Sequence, residues 1–75
     1  MVFEVIYQAR KDSVDPPAKL YRIEYFESDT IPDESLIQKE LTRKGIQFVE
    51  ESISIAPREQ DVQSMRQSGK KVTKI

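Results

Sequence analysis

The chain has 75 residues, of which 37% are hydrophobic and 33% charged; its formal net charge is −1, and it contains neither His nor Cys. Those two absences exclude most side-chain chemistry near neutral pH, because there is no unperturbed imidazole to titrate between pH 5 and 8 and no thiolate nucleophile, disulfide or Cys/His zinc site. A chain this short buries only about 60–65% of its unfolded surface, so every apolar side chain counts toward the core.

The opening segment, MVFEVIYQAR, alternates with period two, Phe3, Val5, Tyr7 and Ala9 on one face and Glu4, Gln8 and Arg10 on the other, with Val2 and Ile6 making the second face partly apolar. This predicts a strand. Residues 11–18, KDSVDPPA, bring Pro16 and Pro17 together with Asp12 and Asp15, a composition that favours a loop over a sheet ladder. The next run, KLYRIEYFE, is a second strand with Tyr21, Ile23 and Tyr25 on one side and Leu20, Arg22, Glu24 and Phe26 on the other. A hairpin joins the two most simply. Matching the aromatic rows of its strands places Tyr21, Ile23 and Tyr25 with Phe3, Val5 and Tyr7 under a helix, and leaves Ile6, Leu20 and Phe26 on the opposite face.

Residues 28–32, SDTIP, supply helix-start chemistry, and a helix is predicted over 33–44. Asp33 and Glu34 suit its N-terminal dipole, Arg43 and Lys44 its C-terminal end, and Gly45 a left-handed cap. Its apolar stripe, Leu36, Ile37 and Leu41, is narrow, as for a helix covering one side of a sheet. In IQFVEESISI the apolar residues change phase: Ile46 and Phe48 share one parity, Val49, Ile53 and Ile55 the other, so a bulge or break is expected near Glu50 to Ser52. Pro57 is expected to end that strand. REQDVQSMRQSG predicts a short helix with Val62 and Met65 inward and Gly69 as its cap, and KKVTKI either a last strand through Val72 and Ile75 or a tail.

The expected fold class is therefore α+β, a small, mostly antiparallel sheet with one main helix (ββαβ) and a short C-terminal helix or tail. A single domain is expected, with a compact body over residues 1–57 and a short helix and basic segment over 58–75. Residues 1–57 carry seven Lys/Arg against eleven Asp/Glu, and residues 58–75 five against two. No run approaches the roughly 18 apolar residues of a membrane span, and the opening MVFEVIYQAR lacks a signal peptide's basic lead and apolar core, so the expectation is a cytoplasmic protein without membrane insertion.

Catalysis would have to rest on carboxylates. Glu50 and Glu51 are strand neighbours pointing to opposite faces and cannot flank one bond. Glu24, Glu27 and Asp29, or Asp12 and Asp15, lack the spacing and turn glycine of a calcium loop. No catalytic, cofactor-binding or metal residue is assigned, and the chain reads as a non-enzyme without cofactors. Its partner-binding candidates are Ile6, Leu20, Arg22 and Phe26, an apolar group rimmed by Glu4, Gln8 and Glu24; coverage by the second helix through Val62 and Met65 is the competing role for that face. An alternative is nucleic-acid binding through Arg66, Lys70, Lys71 and Lys74.

An opening Met1, the aromatic Phe3, Val5, the pair Tyr7-Gln8 and a turn with Lys11 and Asp12 make the first fourteen residues similar to those of the small epsilon-type auxiliary subunit of RNA polymerase from low-GC Gram-positive bacteria. Leu20, Tyr21 and Glu24, then a charged helix and an Ile-x-Phe strand at Ile46 to Phe48, follow that family's order. This resemblance implies a non-catalytic accessory subunit bound to RNA polymerase. The segment Leu41-Thr42-Arg43-Lys44-Gly45 before Phe48-Val49 also resembles the helix end of the small linker domains that cap phycobilisome cores and rods, which implies a linker polypeptide of a pigment–protein complex. Both families are parts of large assemblies, so the expected partner is a larger protein or protein complex.

Overall fold

The computed structural model describes residues 1–9 and 20–75; the loop expected over 11–18, with Asp12 and Asp15, lies outside the described residues. In chain order the elements are β1 (Val2–Ala9), β2 (Leu20–Glu27), α1 (Glu34–Arg43), a single 3₁₀ turn (Glu50–Ser52), β3 (Ser54–Arg58), α2 (Val62–Gln67) and β4 (Val72–Lys74). The four strands form one sheet in the order β3-β1-β2-β4, antiparallel except where β4 joins β2 in parallel. The fold is a small α+β fold built on a mixed sheet, and the C-terminal segment is its fourth strand.

Helix α1 begins at Asp33, whose Oδ1 accepts a 2.7 Å hydrogen bond from the Leu36 N–H. This is the N-cap the first turn requires, so the cap lies beyond the 28–32 segment that was expected to supply it. Ser28 is instead buried beside the start of β1, exchanging hydrogen bonds with Met1: its N–H donates to the Met1 carbonyl at 3.0 Å, and the Met1 ammonium donates to the Ser28 carbonyl at 3.2 Å. At the other end of α1, Gly45 takes φ 76°, and its N–H donates to the Thr42 carbonyl while that of Ile46 donates to the Leu41 carbonyl. Only a residue without a Cβ adopts that left-handed cap without strain.

The phase change falls at the 3₁₀ turn. Ser52 closes it, donating from Oγ to the Val49 carbonyl at 2.6 Å and accepting from the Gln8 N–H at 2.8 Å. Because the chain resets there, Ile46 and Phe48 before the turn and Ile53 and Ile55 after it all pack against the same core. Pro57 does not end the strand: β3 runs through it to Arg58. The tolerance has a geometric cause. Gln8 directs both its N–H and its C=O toward the β3 side, to Ser52 Oγ and the Val49 N–H; by strand alternation so do Ile6, Glu4 and Val2, whose partners are Ser54, Ala56 and Arg58. The backbone groups of Ile55 and Pro57 therefore point outward, where proline's missing N–H costs the ladder nothing and blunts the open edge.

The β1–β2 register corrects the expected hairpin. Phe3 lies opposite Phe26, Val5 opposite Glu24, Tyr7 opposite Arg22 and Ala9 opposite Leu20. Directly opposed residues share a face, so the odd-numbered row of β1 meets the even-numbered row of β2. Phe26 joins Val5, Tyr7, Ile37 and Leu41 in the core beneath α1, whereas Tyr21, Ile23 and Tyr25 lie on the far face with Val2, Glu4 and Ile6. On that far face α2 covers one end, with Met65 buried against Val2 and Val72 and with Tyr25 and Val62 beside them. The two helices thus sit on opposite sides of the sheet.

The register also turns Glu24 inward, and Lys44 answers it. Its Nζ lies 3.1 Å from Glu24 Oε2 and 3.1 Å from Thr73 Oγ1, and 5.5 Å from the centroid of the Phe26 ring. One ammonium so joins the C-cap of α1 to β2 and β4. Tyr7, opposite Arg22, is held above the ordinary tyrosine pKa mainly by burial and secondly by the negative charge of Glu24, with Arg22 acting in the opposite sense.

Phe26→Ala is expected to lower folding stability by about 3–5 kcal/mol, as loss of a fully buried aromatic does; urea denaturation measures it, and a change under about 1 kcal/mol would contradict this core. Since the Tyr7 pKa is raised on folding, the stability tied to its protonated form is intact below the ordinary tyrosine value and is lost as pH rises through the folded value. Urea midpoints are therefore expected to fall above pH of about 10, and Tyr7→Phe to make that fall shallower.

Candidate functional site

The outward groups of β2 follow from its hydrogen-bond phase. Met1 and Ser28 exchange both backbone bonds, so every second pair below them, through Ala9 and Leu20, is of the same kind. Glu27, Tyr25, Ile23 and Tyr21 consequently aim their N–H and C=O away from β1. At the upper end this edge is occupied, since the Ile75 N–H donates to the Glu27 carbonyl at 2.9 Å and Val72 lies opposite Tyr25. Strand β4 stops there. Leu20 to Glu24 continue past it, and among the described residues no strand pairs with their outer edge.

Tyr21 and Ile23 thus combine two properties. Each presents one backbone donor and one acceptor at an open sheet edge, and the two residues are 58% and 49% exposed, with their side chains on the face that α2 leaves uncovered. Ile6 lies directly opposite Ile23 and is half-buried. Gln8, Ala56 and Ser54 share this open half of the face. Glu4 is paired with Arg58 at 3.5 Å. The patch is apolar, nearly neutral and flanked by a strand-length gap in the sheet.

Cations border that gap. Lys70 holds its Nζ 5.4 Å from the centroid of the Tyr25 ring, Lys71 is exposed immediately before β4, and Arg22 is exposed on the α1 face of the gap itself. Glu24, the acid within the gap, is bonded to Lys44.

Of the four partner-binding candidates, Phe26 is fully buried and makes no external contact, and the other three do not share a face: Leu20 and Arg22 lie on the α1 face, Ile6 on the opposite one. The exposed pair on Ile6's side is Tyr21 and Ile23, which the sequence pattern had assigned to the core. The signal that could have found them is Phe26, whose burial carries its row to the helix side, yet the charged pair Arg22 and Glu24 in that row argues the reverse. Arg66, Lys70, Lys71 and Lys74 gather around α2 and β4, with Arg66 in the last turn of α2 and Lys74 opposite Glu27.

For chemistry the surface offers little. A groove beside the end of α1 is lined by Thr42, Gln47, Phe48, Glu50 and Glu51, which supply carboxylates and a hydroxyl but no paired base. Among the described residues no three acidic side chains converge as a metal site would need, and no helix is long and apolar enough to cross a membrane. No family model matches the chain, and no curated protein or solved structure matches it.

The edge assignment makes a direct expectation for amide exchange. Tyr21 and Ile23 N–H groups should exchange at close to unprotected rates, while those of Arg22 and Glu24, bonded to β1, are slowed by orders of magnitude. Protection of all four in the isolated chain would contradict an open edge.

Proposed function

We propose that this chain is a small, non-catalytic accessory or adaptor subunit that docks onto a larger protein assembly through the half of the sheet that α2 leaves open. The exposure of Tyr21 and Ile23 beside Ile6 carries the reading. A tyrosine and an isoleucine held on a rigid strand lose little conformational freedom on binding, and residues of this type act as anchors at protein interfaces. The resemblance of the opening segment makes RNA polymerase the first assembly to test.

Tyr21→Ala and Ile23→Asp are each expected to change folding stability by less than about 1 kcal/mol, because both residues are about half in water. The same substitutions are expected to weaken partner binding by about 1–3 kcal/mol. The measurement pairs thermal melts with retention of purified RNA polymerase on the immobilised chain, followed by proteins captured from native extract. Capture unchanged by the double variant would end this reading. Steeply salt-dependent retention of single-stranded oligonucleotides, lost on reversing Lys70, Lys71 and Lys74, would replace it with the nucleic-acid alternative.

A further inference from the structure

We infer that the β2 edge from Leu20 to Glu24 is a strand-addition site, and that its occupant is an extended acidic segment of the partner protein, laid beside β2 below β4. The inference rests on the protein-docking reading and specifies how the docking is made. Four observations converge on it. The outward groups of Tyr21 and Ile23 amount to two donors and two acceptors spaced as one strand presents them to another. Strand β4 already pairs with this edge from Tyr25 onward, so an added segment extends an existing ladder. The side chains of the same two residues lie exposed on the open face, where alternate apolar residues of an added strand would rest against them. Among the described residues, the exposed cations bordering the gap are Arg22, Lys70 and Lys71, while its one acid, Glu24, is bonded to Lys44.

Charge also decides between a foreign strand and a second copy of this chain. Two β2 edges paired antiparallel within the five residues that β4 leaves open would be centred on Arg22, setting that guanidinium opposite its symmetry mate. Like charges directly opposed destabilise a ladder. An acidic strand in the same place meets Arg22 on one face and approaches Lys70 and Lys71 at the end nearest β4. The other sheet edge does not compete, since there Pro57 removes one of the two outward donors of β3.

The test uses the full chain and an acetylated, amidated peptide of about eight alternating Asp and Val residues, long enough for one strand. Peptide titration is expected to slow exchange of the Tyr21 and Ile23 amides selectively. Replacing Asp by Lys in the peptide, or N-methylating its edge-facing amides, is expected to weaken binding about tenfold or more, the equivalent of one or two lost hydrogen bonds or charge contacts. Lys71→Glu with Arg22→Glu in the chain should weaken it comparably, at unchanged melting temperature.

Absence of binding at millimolar peptide, equal binding of the Lys peptide, or indifference to N-methylation would each overturn the inference. A dimer seen by sedimentation, with Tyr21 and Ile23 protected in the absence of peptide, would overturn it in favour of self-pairing. If the edge fails these tests while Tyr21→Ala and Ile23→Asp still abolish capture of the native partner, face docking stands without strand addition. If the native partner ignores both substitutions, the docking reading itself has failed.

Discussion

The register that sets Phe3 opposite Phe26 governs the rest of this small structure. It buries both rings on the α1 side of the sheet, and because side chains alternate along a strand, fixing one residue of β2 fixes them all. Leu20, Arg22 and Glu24 must then follow Phe26 onto the helix side, and Tyr21, Ile23 and Tyr25 must face away. A slip by one residue would invert both rows, exposing Phe26 and placing Tyr21 under the helix. The same pairing sets the hydrogen-bond phase, so the residues facing away also have their backbone groups at the outer edge. Exposure of side chain and exposure of backbone are one decision.

Turning the row of Phe26 toward α1 brings the Glu24 carboxylate to the rim of the core, where Lys44 meets it. With the Lys44 ammonium at 3.1 Å, which also bonds Thr73 and lies over Phe26, Glu24 becomes a tie between helix, β2 and last strand. The helices are shorter than the sheet they cover. At 1.5 Å per residue, ten-residue α1 spans about 15 Å and six-residue α2 about 9 Å, against about 27 Å for an eight-residue strand. Neither face can be covered along its whole length. The marginal core is divided into two, with Ile37 and Leu41 serving one side and Met65 and Val62 the other.

Much of this is written locally. The alternation of residues 2–9, the charges and glycine that bound α1, and the weaker Val62/Met65 helix each act within a turn or two, and each forms where its pattern predicts. The phase change between Phe48 and Ile53 marks the 3₁₀ turn because a strand cannot hide a parity error. What is not local was not legible. Strand parity divides β2 into two rows, but which row meets the helix depends on how the hairpin closes across ten intervening residues. Three apolar residues in one row outweigh Leu20 and Phe26 in the other only if the unseen neighbours are ignored. Lys44 neutralising Glu24 and α2 sheltering Tyr25 tip the balance, and neither is a property of β2 itself.

Pro57 gives the sheet a polarity of growth. A filament of β-sheets needs two receptive margins on each unit, one to accept a neighbour and one to offer itself to the next. Here one margin carries a proline whose ring occupies the place of a donor, and the other is divided between the three-residue β4 and the five residues of β2 that β4 leaves unpaired. Were a strand to add at the β2 edge as proposed, Pro57 would leave the opposite margin a poor template for a second addition, which favours a finite stoichiometry over a growing sheet.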